Sequence, residues 1–388
     1  MPLDLLSILT AAALAAVIAG LTTNLLVPAV AHVATVLHAL DTPDARKEQT
    51  SPVPRMGGVA IAFGIAIGAG GMAMANWDHW GGGIARSELA SLAIGVLMVF
   101  MVGLVDDMVG LSTLKKLLVE VAAAWLIVRA GWTFTVIALP GLGNVALGGF
   151  GTVVALLWIV GVTNAINLID GLDGLATGVV SIIAGSLVIY AVIQGNILTV
   201  LLMSAVLGAC LGFIRHNWAP AKIYMGDSGS LTLGFLLAVM SLHSSIKAPA
   251  AVAILVPILA LGVPVIDTLL VMLVRFLDRP KGRIAERVQR VFAPDRRHLH
   301  HLLAELGPKR SRIVGVIYVL VLVSSALAIT VALTKSATLG LTVVVIEIAV
   351  LFAVRTLGLR AAAGRLSREK RDAVKDLFEN TTVGTPPG

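Results

Sequence analysis

The stretch from Thr163 to Gly178, TNAINLIDGLDGLATG, sets Asn164, Asn167, Asp170 and Asp173 at intervals of three inside an otherwise apolar polypeptide. Gly171, Gly174 and Gly178 interrupt the helix that would bury them. Each step of three drifts about 60° from a 3.6-residue turn, so adjacent members share a helical face and the whole run does not. The pattern reads as a short cytosolic loop between two membrane helices, holding oxygen ligands for a hard cation and a phosphate. A turn rich in Asx caps accounts for one or two of these residues more readily than for four.

The rest of the chain supplies the membrane. With 57% hydrophobic and 13% charged residues and a mean hydropathy of +0.95, it is no soluble globular domain, whose charged share is about 25%. Cys210 is the single cysteine, which rules out an intrachain disulfide and suits a small packing residue. The first apolar segment has no basic n-region and is long for a signal peptide, so a retained first helix is expected.

At about 20 apolar residues per crossing, eleven membrane helices are expected near 5–35, 56–75, 88–105, 117–131, 151–167, 175–194, 197–214, 228–243, 251–276, 313–333 and 338–355. The expected class is an all-α polytopic membrane protein: a membrane domain over 1–355 with a long loop at 275–312, then a tail over 356–388. Of the 29 lysines and arginines, only Arg86, Arg129, Lys247 and Lys335 fall on one side. By the positive-inside rule that side is external, the N-terminus is outside, and the tail is cytosolic. An anionic inner leaflet accounts for the net charge of +7 without any nucleic acid. On the outer side, TFTVIALPGLGNVALGGFG alternates and turns at Pro140 to Asn144, as a small hairpin would. In the tail, REKRDAVKDLFENTTVGTPPG reads as an amphipathic surface helix followed by disorder.

Further polar clusters share the side of the Asn/Asp run. Asp106 and Asp107, in GLVDDMVGLSTLKK, close the third helix at its C-terminus, where the dipole disfavours carboxylates unless a cation or proton compensates. Lys115 and Lys116 follow, and either also serves as a membrane anchor. Asp227, in IYMGDSGSLTLGF, precedes the eighth helix. There it is an ordinary N-cap, and the amides of Ser228, Gly229 and Ser230 would cradle a phosphate. Asp267 lies inside the ninth helix, where an ionisable group is a weak site candidate or a bond to a neighbouring helix. In the long loop, Arg296, Arg297, His298, His300 and His301 form a cluster better suited to phosphate than to zinc, because arginines repel the cation and fork onto phosphate oxygens. Arg283 to Phe292 looks amphipathic, suiting a helix on the membrane surface or over a pocket.

In order, PRMGG, GLVDDMVGLS, NAINLIDGLDGLA, YMGDSGSL and DRRHLHH resemble the motifs of the polyprenyl-phosphate N-acetylhexosamine-1-phosphate transferases, a branch of glycosyltransferase family 4. The resemblance runs from Pro54 to His301 with the flanking helices. It implies transfer of a sugar 1-phosphate from a UDP-sugar to a membrane-held polyprenyl phosphate such as undecaprenyl phosphate. UMP is released and magnesium required, with manganese as a substitute. It makes Asp227 a metal ligand and Asn167 a second, and gives Asp106 and Asp107 the catalytic aspartate positions. Lys116, Asn164, Asp170, Asp173, Arg296, Arg297, His298, His300 and His301 fall on the substrate side. DRRHLHHLL is similar to the branch that uses UDP-N-acetylglucosamine, and departs from the uninterrupted histidine run followed by an acid of the phospho-N-acetylmuramoyl-pentapeptide translocases. The setting implied is a bacterial-type plasma membrane, with a homodimer left open. A secondary transporter is the alternative of another class, but its charges should lie near the midplane on broken helices, whereas almost every acid here lies at a helix end.

Overall fold

The computed structural model describes residues 5–42, 51–75, 86–139, 143–246, 248–277, 298–306 and 309–382. The chain enters with α1 (Leu5–Val36), a two-residue ribbon pairing β1 (Leu40–Asp41) with β2 (Val53–Pro54), and α2 (Gly57–Ala75). Next come α3 (Arg86–Val109), α4 (Thr113–Arg129), an antiparallel hairpin of β3 (Val136–Leu139) and β4 (Gly143–Ala146), and α5 (Gly149–Ile169). It continues through α6 (Leu175–Ile193), α7 (Ile197–Asn217), α8 (Gly226–Ile246), α9 (Leu255–Ala260) and α10 (Gly262–Leu277). It ends with α11 (Leu299–Glu305), α12 (Arg310–Thr334) and α13 (Ala337–Thr382). Among the described residues nine of these helices are long and apolar enough to cross a membrane, and the protein is an all-α, multi-pass membrane protein. The other two expected crossings fall on α4, of 17 residues, and on the pair α9–α10.

That pair is one expected helix divided in two. Pro264 has no N–H to offer the carbonyl of Ala260, and its ring crowds that carbonyl, so the ladder stops and restarts at Leu261. The C-terminal end departs from expectation in the opposite sense. α13 runs unbroken for 46 residues, so the tail continues the last apolar segment instead of forming a separate surface helix. Its Ala, Leu, Arg, Glu and Lys content favours helix, and no proline intervenes before Pro386. The hairpin forms as its alternation suggests, pairing Val136 with Ala146 and Leu139 with Gly143. The amphipathic stretch Arg283 to Phe292 lies outside the described residues.

α8 is the axis of the bundle: its most apolar stretch is 94% buried, against 22% for α1. Lipid tails are as apolar as leucine, so helices here gain from close backbone approach. Small residues provide it. Gly208 and Gly212 of α7 lie on the backbone of α1 at Ala16 and Gly20, leaving no room for a Cβ, and Gly64 and Gly68 of α2 lie on α1 at Ala15, Ala19 and Thr23. The same device crowds the start of α8, where Gly58 meets Gly229 and Gly103 meets the Asp227 carbonyl. The segments of PRMGG and IYMGD are then stitched together. Tyr224 N donates to Pro54 O (2.8 Å), Gly57 N to Tyr224 O (2.9 Å) and Gly58 N to Met225 O (2.8 Å).

A candidate active site at the start of the central helix

The first turn of a helix exposes N–H groups without internal partners. Here they are met by another helix: Asp107 of α3 accepts from Asp227 N (2.7 Å), Ser228 N (3.1 Å) and Ser228 Oγ (2.6 Å). Gly226, at φ +71°, packs so closely on the Asp107 carboxylate that a side chain would collide with it. Two expectations change. Asp227 is a first-turn residue instead of its helix's cap, and the amide cradle expected for phosphate is filled by Asp107, with Gly229 N pressed on Gly58. Asp107 is 4% exposed and both its oxygens are engaged. Because the cap comes from elsewhere, the Asp227 carboxylate is left to side chains of other helices.

That carboxylate meets Lys116, whose Nζ lies 2.6 Å from Asp227 Oδ2 and 3.4 Å from Asp106 Oδ1. Asp106 also accepts from Leu111 N at 2.7 Å, closing the turn between α3 and α4. Asn167 Nδ2 lies 3.5 Å from Asp227 Oδ2, while its Oδ1 accepts from Ser230 Oγ at 2.9 Å. One turn beyond Lys116, the buried Glu120 accepts from Asn164. Asn164 is therefore tied between two helices, outside the residues that line the cavity described next.

Beside Asp227 opens a cavity of about 1130 Å³. Asn167, Asp170, Asp173, Asp227, His300 and His301 line it, joined by Arg55, Tyr224, Lys309 and Arg310. Asp173 Oδ2 accepts from Ala221 N at 3.0 Å, fixing the loop between α5 and α6 to the loop before α8. Burial pushes the Asp170 carboxyl up to about 7, helped by the negative charges of Asp227, Asp107 and Asp173 and opposed by Arg55. His300 is driven the other way, to about 3, by burial and by His301 and His298, so its imidazole is neutral. Among the described residues its Nε2 is buried without a hydrogen-bond partner, against Gly171, where a Cβ would approach within 2.5 Å. His298 turns elsewhere: Nδ1 lies 3.0 Å from Asp267 Oδ2. Arg296 and Arg297 lie outside the described residues.

Of the expected site residues, then, the fold gathers Asn167, Asp170, Asp173, Asp227, His300 and His301 at one cavity. Lys116 and Asp106 stand behind Asp227, and Asp107, Asn164 and His298 are engaged with protein partners. Arg55, Lys309 and Arg310 were not among the expected residues. Arg55 lies in PRMGG, whose arginine offered the one available signal; Lys309 and Arg310 look like membrane-anchoring charges. Glu120 was missed too, being a single acid in an apolar helix.

The donor set suits magnesium in one respect and withholds it in another. Asp227 and Asp170 lie close enough to raise each other's proton affinity, and a divalent cation would relieve that repulsion. Magnesium keeps several waters and needs only one or two carboxylates, which these provide. Among the described residues no three His, Cys, Asp or Glu side chains form a protein-only cage.

Comparison with known proteins covers this same region. A model described as glycosyl transferase family 4 matches residues 89–245. A Bacillus subtilis protein named probable undecaprenyl-phosphate N-acetylglucosaminyl 1-phosphate transferase is 35% identical over 337 residues, 87% of this chain and 88% of its own. A Mycobacterium tuberculosis decaprenyl-phosphate N-acetylglucosaminephosphotransferase is 34% identical over 73% of each chain. A phospho-N-acetylmuramoyl-pentapeptide-transferase of Levilactobacillus brevis is 34% identical over 50% of this chain and 62% of its own. Likeness of this extent, running through the helices that build the cavity, shows that the chain belongs to glycosyl transferase family 4.

Proposed function

We propose that the protein transfers N-acetylglucosamine 1-phosphate from UDP-N-acetylglucosamine to a polyprenyl phosphate at the cytosolic face of a bacterial-type plasma membrane, starting synthesis of a cell-envelope polysaccharide. The observation that carries this reading is the meeting of acidic and basic groups at one cavity: Asp227, Asp170 and Asp173 line it together with Arg55, Lys309 and Arg310. The full-length relatives with N-acetylglucosamine in their names support the sugar.

An oxygen of the lipid phosphate attacks the sugar-bearing phosphorus of the donor, the bond from that phosphorus to UMP breaks, and a lipid-linked diphosphate forms. Such transfers are won mainly by placing groups and stabilising charge. Lys116, held between Asp227 and Asp106, is positioned to neutralise a phosphoryl oxygen arriving at Asp227. Asp106 orients that lysine and accepts the proton of a monoprotonated acceptor. Asp107 keeps the start of α8 in place. Arg55, Lys309 and Arg310 take the donor diphosphate, and His300 and His301 line the cavity beside them. Magnesium, held by Asp227 with Asp170 or Asn167, would supply positive charge to the diphosphate.

The test incubates purified protein with magnesium, undecaprenyl phosphate and either UDP-N-acetylglucosamine or UDP-N-acetylmuramoyl-pentapeptide, and measures UMP. Release from the first donor at a clear excess over the second is expected. Faster release from the peptide-bearing donor would overturn the sugar assignment, and none from either would overturn the transfer reaction.

A further inference from the structure

Asp267 lies on α10, and three groups from two elements converge on its carboxylate. His298 Nδ1 lies 3.0 Å from Oδ2, Leu299 N donates to Oδ1 at 3.0 Å, and Arg355 Nη1 of α13 lies 3.9 Å from Oδ1. A carboxylate accepts and does not donate, so the proton of the first contact sits on His298 Nδ1. The second contact satisfies an orphan N–H at the start of α11, whose own N-cap residue makes no capping bond. Arg355, 3% exposed, brings the countercharge that a carboxylate in this interior requires.

α11 has seven residues, too few to hold a helix on their own. It carries His300 and His301 at the cavity. The rings of His298 and His300 lie nearly parallel, with centroids 6.2 Å apart, and those of His300 and His301 are 4.2 Å apart. On the other side α11 seats on α13 where Gly358 leaves no room for a Cβ beside Leu302. Asp267 thus fixes the end of α11 from which the cavity histidines project, and sets the tautomer of the histidine two positions before the first of them.

We propose that Asp267 is a positioning residue of the donor site: it caps the histidine helix and holds His300 and His301 in the cavity without contacting substrate. The proposal rests on reading the cavity as the UDP-sugar site. It separates donor from acceptor, because α11 packs on α12 and α13, whereas Lys116 and Asp106 belong to α4 and α3. The test compares wild type with Asp267→Ala and Asp267→Asn in two measurements. The first is UMP release as a function of each substrate. In Asp267→Ala the KM for UDP-N-acetylglucosamine should rise about tenfold or more, the effect of losing a hydrogen bond to a charged group, with the KM for polyprenyl phosphate unchanged. Asp267→Asn keeps one acceptor oxygen and should fall between, and it carries the comparison if the alanine variant does not fold.

The second measurement needs no turnover. A cysteine replacing the exposed, cavity-lining Ala304, in protein whose buried Cys210 is exchanged for serine, is labelled with a maleimide. Labelling should change severalfold when Asp267 is replaced. An unaltered donor KM in Asp267→Ala, or an equal rise for both substrates with unaltered labelling, would overturn the proposal. If wild-type protein released no UMP, the functional reading would fall, and the labelling alone would decide whether Asp267 fixes the helix.

Discussion

The two ends of α8 use polar residues in opposite ways. At its start, Asp227 faces a cavity and a lysine. About 24 Å along the same helix, at 1.5 Å per residue, His243 is enclosed. Asn196 Nδ2 lies 3.0 Å from its Nδ1, Thr199 Oγ1 lies 3.3 Å away, and the Trp132 ring sits 4.3 Å from the imidazole centroid. Both residues are polar groups in an apolar helix, and residue type alone does not separate them. What separates them is whether the surrounding fold satisfies them: a polar group closed in by partners stabilises, and one left facing a cavity is available to a ligand.

Replacing Asp227 with asparagine should break the first end most severely. Shape is kept and charge is lost, and turnover should fall about a hundredfold or more, the typical effect of removing one group that stabilises transition-state charge. UMP release at saturating substrates measures this, and near-normal turnover would remove Asp227 from the chemistry. Asp107→Ala should act through structure. With the start of α8 uncapped, stability should drop by about 1–2 kcal/mol, and turnover should fall because Asp227 loses its fixed place. Thermal unfolding in detergent and UMP release should therefore change together. An Asp107→Ala protein with normal unfolding and no turnover would show that Asp107 meets substrate directly.

A milder effect is expected at Asp170. With its carboxyl pushed up to about 7, it is protonated below that pH and ionised above, so protons compete with a cation on the acidic side. Magnesium affinity should rise as pH passes upward through about 7, and this rise should flatten in Asp170→Asn; calorimetric titration with magnesium at several pH values tests it. At the other end of α8, His243→Ala should leave turnover unchanged while lowering stability by about 1–3 kcal/mol, because Asn196 loses its buried partner. Impaired turnover in a well-folded His243→Ala protein would erase the distinction between the two ends.

Much of the fold was legible because hydropathy is a local property. Runs of apolar residues marked every long helix, and period-two alternation marked the hairpin at Val136 to Ala146. The break at Leu261 is carried by Pro264, a local signal that hydropathy alone does not register. The acidic set was legible as well: Asn167, Asp170 and Asp173 are spaced along one loop, and Asp227 sits among glycines that permit close approach. The basic set was read only in part, since Arg55, Lys309 and Arg310 carry the same charge as any residue that anchors a loop to the membrane surface.

The sequence by itself determined the membrane class, the order of the helices and the chemical types gathered at their ends, since composition, period and neighbouring residues are all local information. Only the tertiary structure decided which of those groups remain available. Asp107 stands beside Asp106 in the chain, yet its oxygens belong to the first turn of a helix 120 residues later. Asn164 is held by Glu120, and His298 by Asp267. Adjacent positions on a helix point about 100° apart, so neighbours in one motif meet different helices. Whether each is capped, paired or left facing the cavity depends on what long-range packing brings against it.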